Sequence, residues 1–176
     1  MKNQRGVALF ISLVLLLVLT IIGVSAVQTT SLEERMARNT HDSVLAFESA
    51  EVALRAGETF LRNNVVSTAG FLPAGANNGL WKASNYAQTE RWEQANIWSG
   101  ANSVVVAANT ITGVAEQPRY VIEWVASVQR NDNPYLQGSS YSALVDRIEI
   151  FRITARGVGG TANARVLLQS TFGLIF

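Results

Sequence analysis

Few residues in this chain could do chemistry. His41 is the only histidine and there is no cysteine. That excludes disulfides, thiol nucleophiles, cysteine-bound zinc and iron–sulfur clusters, and leaves a poor basis for a Ser/His/Asp triad or general-base catalysis. The run Gly157-Val-Gly-Gly-Thr has the composition of a phosphate cradle. Its spacing is wrong, and it joins two strand-like stretches with no helix N-terminus to hold an anion. Asp132 and Asp146 lie in a polar loop that could offer oxygens to calcium, but they form no paired-carboxylate site. Trp81, Tyr86, Trp92 and Trp98 could stack on bases or sugars. Only Lys82 and Arg91 interleave with them, too little basic character to support nucleic acid, so they are expected to fill a small core or cover a sheet. A net charge of +1 supplies no field for nucleic acid. The residues therefore predict no catalytic group, no cofactor, no metal, no small-molecule substrate and no nucleic-acid partner.

The informative stretch is the beginning. MKNQRG carries two basic residues, and VALFISLVLLLVLTIIGVSAV follows without a charge from Val7 to Val27. As a helix that run spans roughly 30 Å, the hydrocarbon thickness of a bilayer. A cleaved secretory signal has a shorter apolar region and a small-residue site, for which Val24-Ser25-Ala26 is a weak match. A retained anchor fits better. Lys2 and Arg5 hold the amino terminus in the cytoplasm and place the rest of the chain outside it.

No proline interrupts the sequence until Pro73, so the helix continues to Asn63-Asn64. Met36, Val44, Phe47, Ala50, Leu54, Gly57 and Leu61 recur at helical spacing and predict the stripe that packs on a sheet. Glu51→Arg55 and Glu58→Arg62 have the favourable i,i+4 order on the solvated side. Glu33, Glu34, Arg35, Arg38 and His41 are expected at the surface.

Beyond the helix, Val104-Val105-Val106 predicts a short strand, and Lys82 to Glu93 a short helix. Arg119 to Gln129 predicts a strand with Tyr120, Ile122, Trp124, Ala126 and Val128 on one face. Arg147 to Arg156 predicts another, with Glu149, Phe151, Ile153 and Ala155 on one face, and Arg165 to Phe172 a third. The glycines from Gly157 to Gly160 suit a hairpin because glycine accepts positive φ. The 130–146 loop is long enough to be functional.

The short basic leader ending Arg5-Gly6 directly before an apolar run resembles a type IV prepilin. The runs EERMARN (33–39), LAFESAEVALRAGE (45–58) and FRITARGVGGTANARVLLQST (151–171) resemble the PilX family of minor pilins. The resemblance covers the first third of the chain and its last strand pair.

It implies an α+β type IV pilin fold, with a long N-terminal helix packed on a small antiparallel β-sheet. It divides the chain into a leader (1–6), a membrane or filament-core helix (7–27), an amphipathic continuation (28–63) and a globular domain (64–176). A prepilin peptidase would cut between Gly6 and Val7, with Arg5 in the recognition segment, and the new Val7 amine would be N-methylated. Leu9, Leu13, Leu16, Leu17 and Ile21 would pack in lipid and then in the filament. Most pilins have glutamate at the fifth mature position, where this chain has Ile11; that departure suits a subunit with none above it.

The implied function is a minor pilin that helps initiate pilus assembly and sits in the tip complex, supporting twitching motility and adhesion. Its partners would be other minor pilins, the major pilin, a tip adhesin, the peptidase and inner-membrane lipid. Before assembly it would be a single-pass inner-membrane protein with its bulk in the periplasm; afterwards it would be extracellular at the pilus tip. The alternatives are a K-type minor pseudopilin of a type II secretion system, and a permanently anchored periplasmic interaction protein.

Overall fold

In a computed structural model of the chain, the described residues are 5–72, 78–84, 89–94, 96–107, 110–129 and 147–176. The long loop at 130–146, with Asp132 and Asp146, lies outside them, as does Tyr86. Helix α1 runs Arg5–Asn64. The chain divides into two compact units, Met1–His41 and Asp42–Phe176.

The described residues of the first unit, from Arg5 onward, are all helix. Its aliphatic side chains from Val7 to Val27 are exposed all round, as expected of a helix that meets lipid or other apolar helices. Several of its hydroxyls are satisfied within the helix. Ser12 donates to the Leu9 carbonyl at 2.8 Å, Thr20 to Leu17 at 2.7 Å and Thr30 to Ala26 at 3.1 Å. That internal bonding lowers the cost of placing them where no water can reach.

In the second unit, α1 from Asp42 onward packs on a sheet. The strands are β1 (Leu80–Lys82), β2 (Val104–Val105), β3 (Arg119–Gln129), β4 (Arg147–Val158) and β5 (Arg165–Ile175). The order is β1-β3-β4-β5, with β2 also paired to β3. The three long strands are antiparallel, and β1 adds a short parallel pairing, Leu80 opposite Ile122. This is the α+β arrangement of the pilin fold. The described residues of Lys82 to Glu93 do not form the short helix their composition predicts: Leu80–Lys82 pairs with β3 and Arg91–Glu93 forms a 3₁₀ turn.

The buried stripe of α1 is made of small residues, Ala46, Ser49, Ala50, Ala53 and Gly57, and ends in Leu61. Ala50, Gly57 and Leu61 face the sheet as the periodicity predicts. Val44 and Phe47 do not; they are 49% and 46% exposed. Met36, in the first unit, is exposed as well. The reason is distance. A Cβ on Gly157 of β4 would lie 2.1 Å from the Ala46 carbonyl oxygen and 2.4 Å from the Ala50 nitrogen. Helix and strand meet backbone to backbone, so large side chains are pushed off the seam. Further along, Gly57 opens room for Ile153 and Tyr120. Leu61, Phe71, Ile122, Phe151 and Ala155 complete this core.

The hairpin after β4 uses its glycines differently from the sequence expectation. None of Gly157, Gly159 and Gly160 has positive φ. Gly157 and Gly159 are needed for close approach to α1 instead, Gly159 because a Cβ there would meet the Asp42 carboxylate at 2.3 Å. The same carboxylate accepts the Thr161 backbone N–H at 3.1 Å and the Thr161 hydroxyl, so it clasps the turn to the helix.

A register shift between Trp124 and Ala126 breaks the predicted face of β3. Trp124 lies opposite Phe151, on the helix side, whereas Ala126 and Val128 lie opposite Ile150 and Ile148 on the outer side. One extra residue in an antiparallel ladder reverses the alternation beyond it. Glu149 stays on the helix side, where it accepts from the Trp124 indole and the Ser127 hydroxyl, both at 2.8 Å.

Candidate functional site

The residues singled out at the amino terminus lie in the first turns of α1. Gly6 has nothing within 4 Å of where a side chain would begin. Val7, Leu9, Ile11, Leu13, Leu16, Leu17 and Ile21 are all exposed. They form no pocket and gather no polar group. What they present is an aliphatic cylinder long and apolar enough to cross a membrane, which is compatible with a single-pass anchor. His41 is exposed at the end of the same unit.

Trp81 and Trp98 of the globular unit are committed to structure. Trp81, Ile97 and Val121 form a second small core on the outer face of the sheet, with Trp98 beside it. The Trp81 indole donates to the Asn102 carbonyl at 2.9 Å and that of Trp98 to the Trp92 carbonyl at 3.1 Å. The Arg91 guanidinium stacks 4.3 Å over the Trp81 ring, and Arg156 lies 5.4 Å over Trp98. These cation–π contacts let arginine side chains cover the outer face, with Arg91 donating to the Lys82 carbonyl and Arg156 paired with Glu116. Among the described residues, no group of three His, Cys, Asp or Glu side chains could hold a metal ion.

The pairing of charges across the strands is what sequence reading missed. Glu123 on β3 lies opposite Arg152 on β4. The Arg152 Nε sits 3.1 Å from Glu123 Oε2, and its Nη2 lies 3.0 Å from Glu90. The signal was a charged residue set among apolar ones in each strand, but only the register brings Glu123 and Arg152 together. Glu123 is 1% exposed and its Oε1 has no hydrogen-bond partner. Burial therefore raises its pKa above the ordinary glutamate value, although Arg152 pulls the other way. Burial likewise lowers the Arg156 pKa, with Glu116 opposing and Arg165 and Arg119 adding to the shift.

The consequence for stability has a definite sign. A carboxyl whose folded pKa is raised binds its proton more tightly in the fold, so its contribution is complete below the unfolded value. That contribution is lost as pH rises through the folded value. Stability of the globular unit should decline over that window, and Glu123→Gln should flatten the decline. Chemical denaturation of the full chain in neutral detergent at stepped pH, read by tryptophan fluorescence, measures it. An unchanged pH slope in the glutamine variant would contradict the assignment.

None of these groups makes a catalytic constellation, and the exposed aliphatic length of α1 is the most prominent candidate surface. A family model described as PilX N-terminal matches residues 5–55. A second, described as type IV pilus assembly protein PilX C-term, matches residues 38–174. No curated protein and no solved structure matches the chain.

Proposed function

The chain belongs to the PilX family of type IV pilus assembly proteins, and from that premise we propose that it is a minor pilin that helps start pilus assembly and takes part in the tip complex. The observation that carries this reading is the aliphatic surface of α1, exposed from Val7 to Val27, on a chain whose family assembles pili.

In the bilayer, lipid covers that surface. On extraction into a filament, the apolar helices of neighbouring subunits replace lipid. The exchange is close to neutral in hydrophobic terms, because lipid tails are about as apolar as leucine, so packing decides it. Leu9, Leu13, Leu16, Leu17 and Ile21 make those contacts, with other minor pilins and then the major pilin as neighbours. Processing between Gly6 and Val7 by a prepilin peptidase, with Arg5 on the cytoplasmic side, and methylation of the new amine precede assembly.

Ile11 fits a subunit at the top of the stack. A carboxylate at that depth needs a partner charge, and a terminal subunit has no neighbour above to supply one. From the tip the globular unit would support an adhesin, and through it twitching and attachment. The bulk of the chain would lie in the periplasm before assembly and outside the cell afterwards.

Deletion and complementation of the gene test the role. The expected result is loss of surface pili and twitching with normal exoprotein secretion. Normal piliation with failed secretion would assign the chain to a type II secretion pseudopilus instead. If neither changes, the protein is an anchored periplasmic interaction module.

A further inference from the structure

We propose that the outer face of the sheet, at its β4–β5 hairpin end, is a docking site for an acidic peptide segment of a partner protein, gripped by Arg119 and Arg165 on either side of the largely buried, Glu116-paired Arg156. The inference stands on the sheet and does not depend on the pilus reading.

Arg119 lies directly opposite Arg156 across β3 and β4. On the other side, Arg156 lies opposite Leu167, and Val158 lies opposite Arg165. Partners in an antiparallel ladder share a face, and diagonal neighbours sit ~7–8 Å apart. The three arginines are therefore adjacent across three strands on the side away from α1. Like charges directly opposite one another oppose folding, yet among the described residues one carboxylate pairs with them. Glu116 pairs with Arg156, while Arg119 and Arg165 form no ion pair among the described residues.

Their hydrogen bonds go to neutral groups. Arg119 donates to the Gly100 carbonyl at 3.3 Å and the Ser103 hydroxyl at 3.2 Å, and Arg165 to the Ala162 carbonyl at 2.7 Å. Each guanidinium carries five donors in a fork suited to a carboxylate, so both keep donors to offer. The floor between them is apolar: Leu167 is 42% exposed, and the Trp98 ring underlies Arg156.

Guanidinium forks around an apolar floor match a short segment that alternates carboxylates with apolar side chains. The patch is too small for the alternatives. Nucleic acid needs an extended basic stripe, and anionic membranes are recognised by clusters of about 4–8 basic residues.

The test uses the full chain in neutral detergent and a fluorescein-labelled polyglutamate peptide at low salt, with polylysine as control. The expected result is polyglutamate binding that weakens with salt. Arg119→Gln/Arg165→Gln should weaken it by about tenfold or more, Arg165→Glu should abolish it, and Arg165→Lys should keep most of it. Arg165 is exposed, so its single variants stay folded and informative even if the double variant does not. No binding by the native chain, or equal binding by Arg165→Glu, would overturn the proposal. So would an oligonucleotide that binds more tightly and is lost in the same variants.

Discussion

Replacing Gly157 by alanine should unfold the globular unit more effectively than the same change at any other described glycine. The added carbon would lie 2.1 Å from the Ala46 carbonyl oxygen, 2.3 Å from Ser49 Oγ and 2.4 Å from the Ala50 nitrogen. Two of those atoms are helix backbone and cannot rotate away. The third belongs to a serine whose hydroxyl bridges the Ala46 and Val158 carbonyls at 2.9 and 3.2 Å. The helix must lift from the sheet, and the seam of small residues from Ala46 to Gly57 opens with it. Overpacking a tight core costs about 1–3 kcal/mol and sometimes more; with backbone as the obstacle the upper end is expected. For a domain of this size that lowers Tm by about 10 °C.

Gly160→Ala is the matched control. Its nearest obstacle is the Gly113 carbonyl at 3.3 Å, which a few tenths of an ångström would clear. All four tryptophans lie in the second unit, so near-ultraviolet circular dichroism of the full chain follows that unit without the signal of the first. Equal melting of the Gly157 and Gly160 variants would show that the helix does not rest on β4 as described.

The same seam explains what sequence reading could and could not reach. Strand β3 has the predicted bounds, and β4 and β5 begin where predicted and run slightly further, because alternation and flanking turns are local signals. The end of α1 at Asn64 was legible for the same reason. The choice of Ala46 and Ser49 over Val44 and Phe47 for the seam was not. It depends on Gly157, more than a hundred positions away, and a hydrophobicity pattern rewards the larger side chains. The bulge after Trp124 was equally hidden, since RYVIEWVASVQ reads as an unbroken alternation. At the candidate site, the exposed aliphatic run was plain from composition, whereas the Glu123–Arg152 pair and the arginine row exist only in the register.

A valine at Gly6 should block maturation completely, and an alanine should block most of it. The folded chain supplies no competing explanation. Nothing lies within 4 Å of the position a Cβ would take, and alanine is the better helix former by about 1 kcal/mol. Neither substitution therefore damages α1. A protease that draws an extended backbone into a narrow cleft does discriminate, because only glycine leaves room on both sides of the chain. A β-branched side chain is the worst replacement there.

The readout is the intact mass of the membrane-extracted chain from cells with and without the prepilin peptidase. The native chain should lose residues 1–6 and gain one methyl group only where the peptidase is present. The valine variant should keep MKNQRG in both strains while its globular unit melts normally. Normal maturation of that variant would remove Gly6 as the cleavage determinant. A native chain left whole in both strains would reduce Lys2 and Arg5 to topology signals, and one cut near Ala26 would separate the globular unit from the very helix that filament entry requires.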